Sequence, residues 1–235
     1  MPSIRRPLSH SVASGARRWI VALLAAWPAV TLAQSTPAVS TLVAFSGSQV
    51  AGTPVRDAEG VLYGITSIAN AVTGGLVFRL AANGSSIRTL YSLQTANGYG
   101  PAGGLLLGSG SDGRLYGTTV FGSASTLNSG GTVFSLTTAG TQFSVLHNFA
   151  AFTVITVDGA NYPVNSDGVG PAGELIEGSD GALYGVTSAG GPNGTGVVYR
   201  ISRDGTDVDV LHAFGAVTDE PGDTGITSLL GKFWS

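Results

Sequence analysis

Cysteine is absent from this chain of 235 residues. Disulfide staples, thiolate-held zinc and a cysteine nucleophile are excluded with it. Charge is scarce: Asp, Glu, Lys and Arg together make up 11% of the residues, while 43% are hydrophobic. A disordered chain needs the reverse balance, so a packed core is expected. Beyond the first residues, no stretch carries a sustained apolar period of about 3.6 residues, and helices are not expected there. No apolar run reaches the roughly 20 residues that a membrane-spanning helix needs. What the chain has in abundance is glycine, 36 residues of it, as in a turn-rich β protein.

Residues 1–33 read as a signal peptide. Arg5, Arg6, Arg17 and Arg18 form a positive start, and Trp19 to Leu32 is an apolar run interrupted by Pro28. Thr31-Leu32-Ala33 resembles a small-residue cleavage site before Gln34. Arg17-Arg18 leaves both the general and the twin-arginine export routes open. Cleavage would remove four of the 11 basic residues and leave seven against 14 acidic ones, a net charge of −7. Phosphate backbones are bound through Lys and Arg, so nucleic acid is not an expected partner. Residues 34–40 read as a short linker before one repeat domain over 41–235.

A nine-residue phrase organises that domain. Ser111-Asp112-Gly113-Arg114-Leu115-Tyr116-Gly117-Thr118-Thr119 returns as Ser179-Asp180-Gly181-Ala182-Leu183-Tyr184-Gly185-Val186-Thr187, and more loosely as Glu59-Gly60-Val61-Leu62-Tyr63-Gly64-Ile65-Thr66. Three further short apolar elements recur with it. The first is Thr41 to Phe45, then Thr89 to Leu93, Val145 to Phe149 and Val210 to Phe214. The second is Thr53 to Arg56, Gly103 to Gly108 and Gly173 to Gly178. The fourth, after the phrase, is Gly75 to Leu80, Gly131 to Leu136 and Gly196 to Ile201.

Each element has the length of a strand, about five or six residues, and is rich in Val, Leu, Tyr, Phe and Thr. Phe78 to Leu93, Phe134 to Phe149 and Tyr199 to Phe214 are each separated by 15 residues, so this connection is rigid. Tyr63 to Tyr116 is 53 residues and Tyr116 to Tyr184 is 68, so the variation lies in loops. Four strands per cycle predict an all-β, propeller-like array of four-stranded blades. The repeats run over about 41–88, 89–144 and 145–209, with a partial fourth over 210–235. Gly225 to Leu230 and Gly231-Lys232-Phe233-Trp234 resemble the opening of that fourth cycle, so a truncated or open array is expected.

Asp112-Gly113 and Asp180-Gly181 are turn dipeptides. Leu115 and Tyr116 must point to opposite faces of the strand that follows, and both are large and apolar. Both faces of that strand should therefore be covered. Gly64, Gly117 and Gly185 are expected to let a neighbouring backbone or the ring of the phrase tyrosine approach closely.

The set Leu-Tyr-Gly-Thr-Thr, Gly-Thr-Val-Phe-x-Leu, Leu-His-x-Phe and Pro-Ala-Gly-x-Leu resembles the GloVer repeat of bacterial choice-of-anchor tandem-repeat proteins. The resemblance covers residues 41–235. It implies a secreted or surface-displayed, β-propeller-like protein with no established activity and brings no catalytic residue with it. No metal or cofactor is expected.

Candidates for chemistry are few. His147 and His212 share one repeat position, but Tyr91 and Ala44 occupy it elsewhere, which favours a structural role. Asp112 and Asp180 each stand alone before a glycine, whereas a calcium loop gathers several oxygens at close spacing, so turn chemistry is favoured. Glu174 and Glu177 share one strand and make no glycosidase pair. No Gly-x-Ser-x-Gly element is present. The one long insertion follows Phe149 and holds Asp158-Gly159-Ala160-Asn161-Tyr162-Pro163 and Asp167-Gly168-Val169-Gly170-Pro171, which look like two copies of one connection. Phe152, Asn161 and Tyr162 in it are the candidate binding residues, for an extracellular glycan or protein. The expected function is that of a secreted, cell-surface or periplasmic binding scaffold that is not an enzyme. The alternatives are an extracellular propeller hydrolase or lyase on carbohydrate and a sensor-type propeller module, since Asp-Gly-x-Leu-Tyr also resembles two-component regulator repeats.

Overall fold

A computed structural model describes residues 48–68, 74–110, 113–122, 128–157 and 159–215. The leader, Thr41 to Phe45, Asp112, Asp158 and the partial fourth repeat beyond residue 215 lie outside the described residues. Among the described residues the chain is all β, and no helix long and apolar enough to cross a membrane occurs.

Three antiparallel meander sheets follow one another along the chain. The first is β1 (Ser48–Arg56), β2 (Leu62–Ile68), β3 (Leu76–Leu80) and β4 (Ile87–Ser92), paired in that order. The second has a broken first strand, β5 (Tyr99–Pro101) and β6 (Leu106–Leu107), both pairing with β7 (Arg114–Phe121), then β8 (Thr132–Thr137) and β9 (Ser144–Asn148). A separate hairpin follows, β10 (Thr153–Val157) with β11 (Ala160–Val164). The third sheet is β12 (Val169–Glu177), β13 (Leu183–Ala189), β14 (Val197–Ile201) and β15 (Val208–Ala213).

Each sheet thus opens on the second repeated element and closes on the first element of the next cycle. The strand-rich elements fall where alternation and β-branched residues put them. The opening strands start earlier than their sequence suggests, because Tyr99–Pro101 and Val169–Ala172 are Gly- and Pro-rich and read as connections. They tolerate Pro101 and Pro171 as the first strands of their sheets, where no ladder bond is needed on the outer side. Their register breaks between Ala51 and Val55 and between Ala172 and Ile176, and the break between β5 and β6 is the same interruption. The insertion is not an irregular loop but the paired hairpin β10–β11.

The second sheet is covered on both faces. Leu115 joins a core with Tyr63, Ile65 and Val77 of the first sheet and Phe134 and Leu136 of its own. Its neighbour Tyr116 points the other way, into a core with Leu175, Leu183, Val197 and Tyr199 of the third sheet. Leu115 is 0% and Tyr116 1% exposed, as two covered faces require. Burying one such side chain stabilises by about 1.5–3 kcal/mol.

The phrase glycine sits under an aromatic ring in every sheet. Gly64 pairs with Phe78, Gly117 with Phe134 and Gly185 with Tyr199. A Cβ on Gly117 would fall 2.5 Å from Phe134 Cζ. The ring that needs the space belongs to the following strand and not to the tyrosine beside the glycine.

Candidate functional site

The opening strands of the three sheets meet at their bends. Gly103 lies against the backbone of Gly173, and Gly104 is hemmed in by Thr53 O and the Glu174 carboxylate. Thr53 donates its backbone N–H to Glu174 Oε1 at 3.0 Å, directly linking the first sheet to the third. A side chain on Gly104 would occupy the place of that carboxylate. Glu177, just past that bend, accepts from Ser109 N at 2.8 Å and Ser109 Oγ at 2.6 Å and pairs with Arg203. The two glutamates therefore hold different partners, each fixing β12 against another part of the fold.

Of the acids and histidines that recur in sequence, Asp180 and His147 are committed to similar work, while His212 makes an edge contact with the Phe214 ring. Asp180 accepts from Ala182 N at 3.1 Å, from the Tyr184 hydroxyl at 3.0 Å and from Arg200 Nε at 3.1 Å. The Ala182 amide foremost, then Arg200 and Tyr184, hold its carboxyl below the ordinary value. This is turn chemistry. Asp57 does the same in the first sheet, accepting from Val61 N at 2.8 Å and the Tyr63 hydroxyl at 3.1 Å. Burial raises the Tyr63 phenol above its ordinary value, Arg79 opposes the rise and Asp57 adds to it.

His147 Nε2 lies 2.9 Å from Asp167 Oδ2, and Asp167 also accepts from Ala150 N. The equivalent pair one repeat earlier is Asn97 Nδ2 donating to the Tyr91 hydroxyl at 2.6 Å. Each pair pins the strand that leaves one sheet to the connection that enters the next. The two Asp-Gly connections of the insertion consequently part company: Gly159 lies in the hairpin turn, whereas Asp167-Gly168 anchors a junction. Among the described residues, no three of His, Asp and Glu gather as a metal site would need.

The binding candidates lie on or beside the hairpin. Asn161 pairs with Thr156 across the ribbon and accepts its hydroxyl at 2.8 Å. Tyr162 pairs with Ile155, one position on, so the pleat puts Asn161 and Tyr162 on opposite faces. Tyr162 stands against Gly194 of the third sheet's β13–β14 loop. Phe152 precedes the ribbon, and its backbone N–H bonds to Asn128 O at 3.1 Å. Val154 and Ile155 are 55% and 42% exposed on the ribbon.

One residue with no sequence signal ties this insertion down. Asn165 donates to Ala150 O and Gly168 O at 2.9 and 2.8 Å and accepts from Gly168 N and Gly191 N at 2.9 and 2.8 Å. All four bonding capacities of its amide are used. A single asparagine outside the repeated elements gives no periodic hint of this.

The repeated meanders and their stitched junctions define an all-β tandem-repeat protein. The chain belongs to the Gloeobacter/Verrucomicrobia repeat family, whose model matches residues 29–235. No curated protein matches the chain.

Proposed function

We propose that this chain is a secreted or cell-surface binding scaffold, its sheets successive blades of a propeller-like array. The observation that carries this reading is the use made of the ionisable side chains that the sequence offers as candidates for chemistry. His147, Glu174, Glu177 and Asp180 each hold a turn or a junction between sheets. Support for the blade arrangement comes from the second sheet's two covered faces and from the opening strands, which meet at Gly52, Gly104 and Glu174. Export rests on the leader-like residues 1–33.

Ligand contact is assigned to the β10–β11 hairpin, an insertion on a rigid frame that presents Val154 and Ile155 to solvent. Phe152, Asn161 and Tyr162 are the proposed contributors, and an extracellular glycan or protein is the proposed partner. The test is binding of the secreted chain to a panel of extracellular glycans and immobilised proteins, with and without Thr153–Val164 replaced by a short turn. Retention lost on trimming the hairpin supports the reading. Turnover of a bound glycan would replace it with the enzyme alternative.

A further inference from the structure

A pocket of about 270 Å³ lies where the first sheet meets the second, lined by Tyr63, Arg79, Arg88, Leu90, Thr138 and Ala139. Arg79 and Arg88 stand directly opposite each other on β3 and β4. Like charges at such a pair repel and destabilise a sheet. The third sheet solves the same position differently: Arg200 faces Asp209 and also pairs with Asp180 and Asp207 at 3.1 Å each. In the first sheet, Arg88 replaces the opposing acid and Ser86 takes the place of Asp207. Asp57 is the acid near Arg79, through the shared Tyr63 hydroxyl.

The second junction shows that the pocket is not a by-product of the repeat. There the positions of Arg79 and Arg88 are held by Ser135 and Ser144, which pair across β8 and β9. The position of Thr138 is held by Arg203. That arginine donates to Gly181 O at 3.1 Å and Ser109 O at 3.0 Å and pairs with Glu177, tying the turn to its neighbours. At the first junction, short Thr138 and Ala139 leave the space open, and both cations sit on the opposite wall.

We propose that the Arg79–Arg88 pocket binds a small ligand through an oxyanion, a carboxylate or phosphate group. Two guanidinium groups present planar, multiply donating surfaces suited to such oxygens. The Thr138 hydroxyl adds a donor, the Tyr63 proton being already given to Asp57, and Leu90 and Ala139 supply an apolar patch. The volume is just below the roughly 300–1,000 Å³ usual for ligand sites, which suits a single small unit and not an extended chain. Bound anion also relieves the repulsion between Arg79 and Arg88. The site lies at a different junction from the β10–β11 hairpin, so either assignment survives failure of the other.

The test is an NMR titration of the full chain with glucuronate and, separately, inorganic phosphate, using glucose and chloride at matched ionic strength as controls. One or both anions are expected to give saturable shifts at the amides of Leu90, Thr138 and Ala139, and their relative affinities identify the oxyanion. Arg88→Ser, the residue already present as Ser144, should weaken binding by about tenfold or more. Thr138→Arg, the residue already present as Arg203, should close the pocket and abolish binding; both variants are checked for native melting. Absence of saturable shifts from either anion in the millimolar range, or unchanged affinity in both variants, overturns the proposal.

Discussion

Thr53 and Glu174 are 121 positions apart in the chain, and a 3.0 Å bond from the backbone of one to the carboxylate of the other closes the first sheet onto the third. The bond is solvent-exposed, so its net worth is modest, about 0.5–1.5 kcal/mol. Its positional effect is larger. Glu174→Ala is expected to speed amide exchange at Thr53 while leaving Ile65, buried in the core between the first two sheets, protected. Equal acceleration at both amides would show that Glu174 supports the whole first sheet.

The glycine beneath each ring makes a sharper demand. Gly117→Ala puts a methyl group against Phe134, which is fully buried and has nowhere to turn. A loss of about 1–3 kcal/mol is expected, as for overpacking elsewhere. Gly159 meets nothing within 4 Å, so alanine there strains only its positive-φ backbone. Thermal melts of the two variants should separate, with Gly117→Ala the lower.

Tyr116 bears on the same core from the other side. Tyr116→Ala should cost about 3 kcal/mol or more, since the ring is buried against both Leu183 and Tyr199. An unchanged melting temperature would remove it from the core.

The junction pairs invite a swap. Tyr91 with Asn97 and His147 with Asp167 are alternative solutions to one contact. His147→Tyr and Asp167→Asn should each destabilise alone, while the double variant recovers part of the loss. A coupling of about 0.5–3 kcal/mol in a double-mutant cycle is expected for such a contact. Strict additivity would mean that the two positions do not act as a pair.

Acid should weaken the β14–β15 turn. Ser202, Thr206 N and the Thr206 hydroxyl hold Asp204 at a pKa of about 2, below its ordinary 3.8. A depressed carboxyl contributes stability that is fully present above the unfolded value and lost as pH falls toward the folded one. Melting temperature should therefore decline between about pH 4 and pH 2, and Asp204→Ala should flatten part of that decline.

The sequence exposes the phrase strand and its two successors because their β-branched and aromatic residues recur at fixed spacing, as from Phe134 to Phe149. The opposite faces of Leu115 and Tyr116 follow from the pleat alone, and both prove covered. The opening strands are obscured by their own bends: Gly103 and Gly173 break the alternation where backbones must cross closely. The pairings that matter at the junctions were half visible. His147 stands out by recurrence, but its partner Asp167 lies 20 residues on, beyond an inserted hairpin. Asn165 and the Arg79–Arg88 pairing depend on register and packing, which no local pattern encodes.

The contact between sheets runs one way. The turn at Gly140 presses on Leu90 of the preceding sheet, and the turn at Gly205 presses on Leu146 in the same manner. The third sheet presents Leu211 at that position, 52% exposed. Such a head-to-tail interface never brings two like faces together, so it does not favour two-fold pairing between them. Lengthening the array by duplicating the second sheet reuses both kinds of face but sets Ser135 and Ser144 against Thr138, a combination that neither junction holds. The rotation per step then decides whether such a series closes on itself or continues as a helical stack.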